Sequence, residues 1–584
     1  MSQQTDVTYL ELLKNNHEII FEGRIISEST NLNNSKNSIY TLYKISVDNF
    51  LAGKEDKVIA IKVPGGRYNN QIDYYSHTPR LSVGQKGVFL ISENNLLNHF
   101  DTPTYLFNNN ENFLKNVGQN KLGNVNRIFS ISKPEILSKL AGKVIQSKQS
   151  SVLNNIKKKI RSFPSITRFE PQTIRAGTYD TLIIYGSGFG NNNNGKGKIY
   201  FKDGDSGVTT LPSGTFVTWI PAFSTDIIYW TDTEIKLRVR HGASTYKIKV
   251  DVDGEELTAT ESTDILNIQY NKIGREIQRE DDELNLLSYG AQYIIPKSLE
   301  AIDTPLVWRL DSEFFNNNTL KNIVIDLVDN WACSSGINWI LNLTSSINEN
   351  SDTNSGVNSI GFGDSSEVGG AGVCKISGYI NSNSDDNGFN KIIIAEMDIR
   401  LREDLNWSYS GREENKYNII NTLNHELGHA LGFGHVSGKS NLMYPTGDLG
   451  EETYVINEQD RINSQDLITI YSNTSLSGNI NGTPIENISV NNFDCYQSLS
   501  LSNIISSENF KLIPSLVKNS IKINQSKRAN YNCSIYNING ALVYKFYNLN
   551  KKNESFDISD LSSGIHFVVL EVSNKKIFKK FIKL

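Results

Sequence analysis

Residues 425–435 read HELGHALGFGH, and a methionine follows at position 443 within NLMYP. A hydrolytic metal centre needs three neutral protein ligands, a fourth position left for water, and a carboxylate beside that water. This segment supplies all of these. In a helix spanning 417–432, His425 and His429 stand four residues apart on one face, one turn above the other, so both imidazoles reach a single ion. Glu426 sits next round and borders the cleft, where it can take a proton from water and pass it to a leaving amine. Ile420, Leu423, Leu427, Ala430 and Leu431 form the apolar side that anchors the helix. Gly432 falls where the helix must stop, because glycine alone takes the left-handed conformation cheaply. The chain then swings back toward the metal, and His435 becomes the third ligand. A structural metal site, or a helix with three core histidines, would leave Glu426 without a task. Three of the chain's eight histidines are gathered here.

The pattern HExxHxxGxxH with its downstream methionine resembles the metzincin clan, and HELGHALGFGHVSGKSNLMYP is most similar to the matrixin-like branch. The resemblance implies one catalytic Zn2+, an α+β catalytic domain split by a cleft, and protein or peptide substrates laid along an edge strand. Zinc would acidify its water and polarise the scissile carbonyl, with Glu426 as general base. Met443 would form a hydrophobic floor below the metal without coordinating it. Clan members with a tyrosine ligand carry it two residues after the methionine; here Tyr444 follows at once and Pro445 takes the second place, so Tyr444 is not assigned as a ligand. GVNSIGFGD (356–364) is the expected edge strand, the loops over 446–460 are expected to shape the specificity pocket, and Trp407 and Tyr409 read as core or rim. The matrixin cysteine switch uses a thiolate upstream of the catalytic domain. The first cysteine, Cys333, already lies within that domain, so latency would need another device.

The elements that must position these residues belong to a multidomain chain, since 584 residues exceed one ordinary core and predict about three to five domains. Residues 18–97 alternate apolar and polar positions (IIFEGRII, YTLYKISV, KGVFLI) and predict an N-terminal all-β domain over 1–117, a barrel or sandwich. A Lys/Ser/Asn-rich linker with one helix, in PEILSKLAGKVI, follows over 118–163. It holds the short basic run KKKIR (157–161), which reads as a solvated face. Residues 164–270 open on PSITRFEPQTIRAGTYDTLIIYGSGFG, which resembles an IPT/TIG domain and implies an immunoglobulin-like β-sandwich used as a spacer or binding module. Residues 284–478 form the catalytic domain. There TLKNIVIDLVDNWA (319–332) has helical spacing and packs on a sheet that includes INWIL (337–341) and KIIIAEMDIRL (391–401). The Gly/Ser/Asn/Asp-rich stretch 344–390 reads as loops around the cleft; its carboxylates offer themselves to Ca2+, but EF-hand spacing is absent and no calcium site is assigned. The tail, 510–584, with IYNINGALV, FDISDLSSGIHFVVLEV and the close KKFIKL, resembles the C-terminal sorting domain of type IX secretion and implies a C-terminal β-sandwich. The Tyr-Pro-Asn-Pro that usually leads that family is missing.

Composition narrows the partners. A net charge of −5 with 21% charged residues gives no positive field for nucleic acid, and no run of apolar residues is long enough for a membrane span. The partners expected are peptide substrates and the secretion machinery, with the protein secreted or held at the cell surface. The opening MSQQTDVTYLELLKNN has no apolar signal-peptide core, so a signal peptide appropriate to export is expected to be absent from this chain. With four cysteines and no CxxC, cysteine-based zinc or redox chemistry is not expected; Cys333 and Cys374 fit a disulfide as well as two buried thiols, and Cys495 with Cys533 fit one less well. The competing function is a non-enzymatic surface adhesin that keeps the metal motif as a structural or relic site; the intact Glu426 argues against it.

Overall fold

The computed structural model describes the chain apart from residues 1–9, 12, 34–37, 54–55, 98–99, 101, 109–111, 117–121, 124–132, 142–163, 193–194, 206–208, 212–213, 217, 254–258, 281–285, 295–305, 348–355, 366–367, 382–390, 474–478, 481–482, 485–509, 514–515, 526–529, 538–541, 552 and 573–574. The run KKKIR and Cys495 therefore lie outside the described residues. Two compact units result, Met1–Val490 and Asn491–Leu584. The described residues are mostly β-strand, and none of their helices is long and apolar enough to cross a membrane.

The N-terminal strands form one eight-stranded sheet whose centre is Lys86–Ile91, Ile19–Asn33, Ser38–Ala52 and Val58–Pro64. Period-two alternation puts Phe21, Ile45, Ile61 and Phe89 on one face and Ile20, Val88, Leu90 and Leu114 on the other. The second face is covered by Ile136, Leu137 and Leu140 of the helix Lys133–Ala141. That helix, expected to space two domains, is packed onto the first one because its apolar residues find an open sheet face. No strand pair closes the sheet into a barrel among the described residues.

Residues 165–261 fold as two four-stranded sheets. Side chains from both, including Leu182, Ile184, Ile235 and Leu237 from one and Ile199, Phe201, Ile248 and Val250 from the other, share one core.

The helix of the histidine motif packs on a third sheet. In order across it run Trp339–Ile347, Leu306–Asp311, Asn358–Gly363, Lys391–Arg402, Gly372–Asn381, Gln71–Tyr75 and Gly66–Tyr68. The first four are mutually parallel, and Gly372–Asn381 runs antiparallel to Lys391–Arg402. The expected edge strand is thus corrected: Asn358–Gly363 pairs on both sides and is internal. On the far side of Lys391–Arg402 the last strand contributed by residues 284–478 is Gly372–Asn381, inside the stretch read as loops. Its residues through Gly378 are buried on both faces, which hides the alternation by which a half-buried strand is recognised. Its outer side is taken by Gln71–Tyr75, a strand of the N-terminal segment, with Tyr75 opposite Lys375 and Gln71 opposite Tyr379.

Helices back this sheet. Asn317 caps the helix Asn318–Ser335 by accepting from the N–H groups of Thr319 and Leu320, and Gly336 ends it at φ 81°. Leu320, Val324, Leu327, Val328 and Trp331 bury one stripe, and the Trp331 indole donates to the carbonyl of Asn424 at 3.3 Å. This contact ties the backing helix to the one that carries the histidines.

The second unit has a three-stranded and a five-stranded sheet; Ile521, Ile523 and Phe556 from one meet Ile535, Val568, Leu570 and Phe581 from the other. The disulfide considered between Cys333 and Cys374 does not form. Cys374 is wholly buried on Gly372–Asn381, where burial drives its thiol well above the usual range, and Cys333 is half-buried in the last turn of Asn318–Ser335. A desolvated, protonated thiol is a poor partner for oxidation.

Candidate metal centre

The helix Ile419–Leu431 is set at both ends by side-chain chemistry. Asn418 caps its start, accepting from the N–H groups of Ile420 and Asn421, and Gly432 ends it at φ 112°. A side chain at 432 would also strike the Tyr471 hydroxyl, 1.9 Å from its first carbon, and that hydroxyl donates to the Leu431 carbonyl at 3.1 Å. Ile419, Leu423, Leu427, Ala430 and Leu431 are buried, and Ile420 is half-buried. Met443 lies directly beneath the helix, its sulfur filling the space that a side chain at Gly428 would need. Trp407 is core, Tyr409 is exposed, and Tyr444 and Pro445 line the cleft.

His425, His429 and His435 converge. Nε2 of His429 lies 3.0 Å from Nε2 of His425 and 3.1 Å from Nε2 of His435. Each remaining ring nitrogen donates to an oxygen: His425 Nδ1 to Leu442 O at 2.6 Å, His429 Nδ1 to Phe433 O at 2.8 Å, and His435 Nδ1 to Asp205 Oδ1 at 2.8 Å. Oxygens that can only accept fix the tautomer, so all three Nε2 lone pairs face one another. Uncompensated lone pairs at this distance repel, whereas nitrogens 2.0–2.1 Å from a tetrahedral zinc stand about 3.3 Å apart. The donor set fits a zinc ion. Burial pushes His425 down to about 3 and His429 well below the usual histidine range, so both are neutral, as a ligand must be.

Glu426 is buried beside the triad. Burial alone would raise its carboxyl, but the charge and hydrogen bond of His77 and the Ser76 hydroxyl hold it below the usual range. Those two partners were not expected from the sequence. His77 Nε2 lies 3.1 Å from Glu426 Oε1, and Ser76 Oγ donates to Glu426 Oε2 at 3.0 Å. A ring nitrogen of His77 falls within 4.8 Å of one from each of the three motif histidines, making a cluster of four. His77, His425 and His435 border a cleft of about 990 Å3 walled by Gly369–Gly372, Thr422, Leu442 and residues 444–448, and His429 is buried behind them. The only sequence signal for His77 was its place just past a strand in a chain poor in histidine.

Asp205 was also unforeseen. It comes from the immunoglobulin-like segment, 230 residues from His435. Around it, that segment is built onto the turn that carries His435: Asn271 Nδ2 donates to His435 O at 3.1 Å, Gly434 N to Asn271 O at 2.7 Å, and Ile273 N to Gly432 O at 2.8 Å. The carboxylate orients the imidazole and raises its basicity. Asp205→Asn is expected to weaken zinc binding about 10- to 100-fold, as read by competition with a chromogenic chelator.

At the same junction Lys272 is fully buried, 5.1 Å from the Tyr471 ring. Burial, aided by the charge of Lys391, pulls its amine from 10.5 down to about 7. The folded state therefore favours the neutral amine. Between the two values the unfolded chain binds the proton more readily, so stability falls as pH drops from about 10 to about 7, then levels off. Lys272→Met is expected to remove that slope, up to about 1.4 kcal/mol per pH unit, in denaturant unfolding followed across the range.

Comparison with known proteins locates three families along the chain. Residues 390–469 match the matrixin model, 164–270 the IPT/TIG domain and 511–584 the secretion system C-terminal sorting domain. The matrixin match implies zinc as the ion for the histidine cluster. No curated protein matches the chain. Among solved structures, the BSP domain of a biofilm associated protein is 8% identical with a TM-score of 0.12, over 98% of this chain and 82% of that one. The native conformation of E. coli alpha-2-macroglobulin is 8% identical with a TM-score of 0.10, over 97% of this chain and 28% of that one. Likenesses this low carry no argument.

Proposed function

We propose that this chain, with its matrixin segment, IPT/TIG domain and secretion-system sorting tail, is an exported zinc endopeptidase whose general base is Glu426. The observation that carries the reading is one buried carboxylate next to three converging imidazoles, each pushed by burial below the usual histidine range, at the base of an open cleft. His425, His429 and His435 would hold the ion, which when bound supplies Lewis acidity that polarises a scissile carbonyl and acidifies water. Glu426, held ionised, accepts the proton at a carboxylate oxygen and delivers it to the leaving amine nitrogen. Leu442 O and Phe433 O keep the His425 and His429 rings in register through the reaction. Met443 supplies an apolar floor and no ligand. The sorting tail supports export, to the cell surface or beyond it.

One observation favours the competing reading of a structural site: His77 makes a fourth imidazole, and structural zinc sites are closed by four protein ligands. A structural site has no use for a buried carboxylate at Glu426. The test is cleavage of a degenerate peptide library by the purified chain and by its His77→Ala variant, each with and without chelator. Chelator-sensitive cuts are expected; zinc-loaded protein of both kinds that cuts nothing would sink the reading.

A further inference from the structure

The described residues offer one cluster that the peptidase chemistry does not explain, and it lies in the centre itself. The strand Gln71–Tyr75 adds to the outer side of Gly372–Asn381, the edge along which an extended peptide would pair. Past its end the ladder continues. Ser76 N donates to Cys374 O at 3.0 Å, and Cys374 N donates to Ser76 Oγ at 2.9 Å. This carries His77 across the face of the motif histidines, its ring centre 5.0 to 5.5 Å from each of theirs. Both oxygens of Glu426 are engaged, one by His77 and one by Ser76. Beyond the crossing, Arg80 Nε meets Asp205 Oδ2 at 3.1 Å, on the same carboxylate whose other oxygen orients His435. The segment 71–80 thus occupies the peptide-binding edge, the base, the water position and the carboxylate behind the third ligand together.

From this geometry we infer that His77 is the fourth ligand of the zinc and that the N-terminal segment holds the enzyme latent as its own competitive occupant. The group laid over the site is an imidazole carried just past an added β-strand. Four imidazoles close the coordination sphere and leave no position for water. Release of residues 71–80, by cleavage of the N-terminal segment or by its exchange for a substrate strand, opens the fourth position and frees Glu426 in one step. The ligand half of the inference stands on the cluster alone, while the latency half rests on the endopeptidase reading.

The test uses the full chain loaded with zinc or with cobalt(II). X-ray absorption at the zinc edge of the unaltered chain is expected to show four imidazole ligands; three imidazoles and one oxygen would overturn the inference. The cobalt(II) form of His77→Ala is expected to differ in its visible spectrum from the unaltered chain and to bind acetohydroxamate, which the unaltered chain excludes. Equal spectra and equal hydroxamate binding would overturn it as well. Peptide hydrolysis by His77→Ala is expected to rise about 100-fold, the factor by which a site open 1% of the time is under-populated. A variant that takes hydroxamate but cuts no peptide would support the fourth ligand and remove the endopeptidase reading. The zinc-edge measurement needs no variant, so misfolding of His77→Ala leaves the inference falsifiable.

Discussion

Glu426→Gln, introduced beside His77→Ala, lowers kcat/KM for peptide hydrolysis about 10²- to 10⁴-fold, the contribution of a positioned general base. By transition-state arithmetic this is about 3 to 5 kcal/mol. The change is close to isosteric, so the packing of the helix Ile419–Leu431 and the three imidazoles is retained, and zinc content should match that of the parent. The amide cannot accept the proton from water or return it to the amine. Ser76 Oγ donates to Glu426 Oε2 and can still donate to an amide oxygen at the same place, so folding is not the cause of the loss. Steady-state hydrolysis of a fluorogenic peptide, alongside metal analysis, checks both halves. Retention of full activity would remove Glu426 as the base, and loss of zinc would make the result a statement about the metal site instead.

His429→Ala has the larger effect on the metal. His429 is the hub of the triad: its Nε2 is the atom nearest to both neighbours, and the residue is fully buried. Its removal leaves two of the three motif histidines and a cavity beneath the cleft. Zinc that binds the folded chain alone stabilises it by RT ln(1 + [L]/Kd), about 4 kcal/mol when free zinc exceeds Kd a thousandfold. The variant is expected to purify without zinc, to lose hydrolysis, and to melt no higher than the chelated parent, because the cavity adds its own cost. Because it lacks zinc, adding chelator should not shift its midpoint, whereas the parent's midpoint should fall. A variant that keeps its zinc and melts like the loaded parent would show that the ion is held elsewhere.

The N-terminal and immunoglobulin-like segments bear on the centre more closely than spacers would. One sends a strand and His77 across the front of the cleft, and the other sends Asp205 behind His435. Arg80 joins the two through Asp205. Departure of the arm would then free Asp205 to act on His435 alone.

The parts of this centre that the sequence determined by itself are local. His425 and His429 share a helix face because the α-helix repeats every 3.6 residues, and Gly432 brings His435 round because it takes φ 112° without strain. The helix Asn318–Ser335 and the strand Lys391–Arg402 were legible from the pattern of apolar residues within one segment. Everything that depends on one segment finding another was decided by tertiary structure. Nothing within Asn358–Gly363 or Gly372–Asn381 tells their places apart; only pairing set the first between Leu306–Asp311 and Lys391–Arg402 and gave the outer side of the second to Gln71–Tyr75. Ser76 and His77 reach Glu426 across 350 and 349 residues, and Asp205 reaches His435 across 230. No periodicity spans such separations; these contacts come from β-strand addition and from the docking of one core against another, which hydrogen-bond registers and buried surface select only in the folded chain.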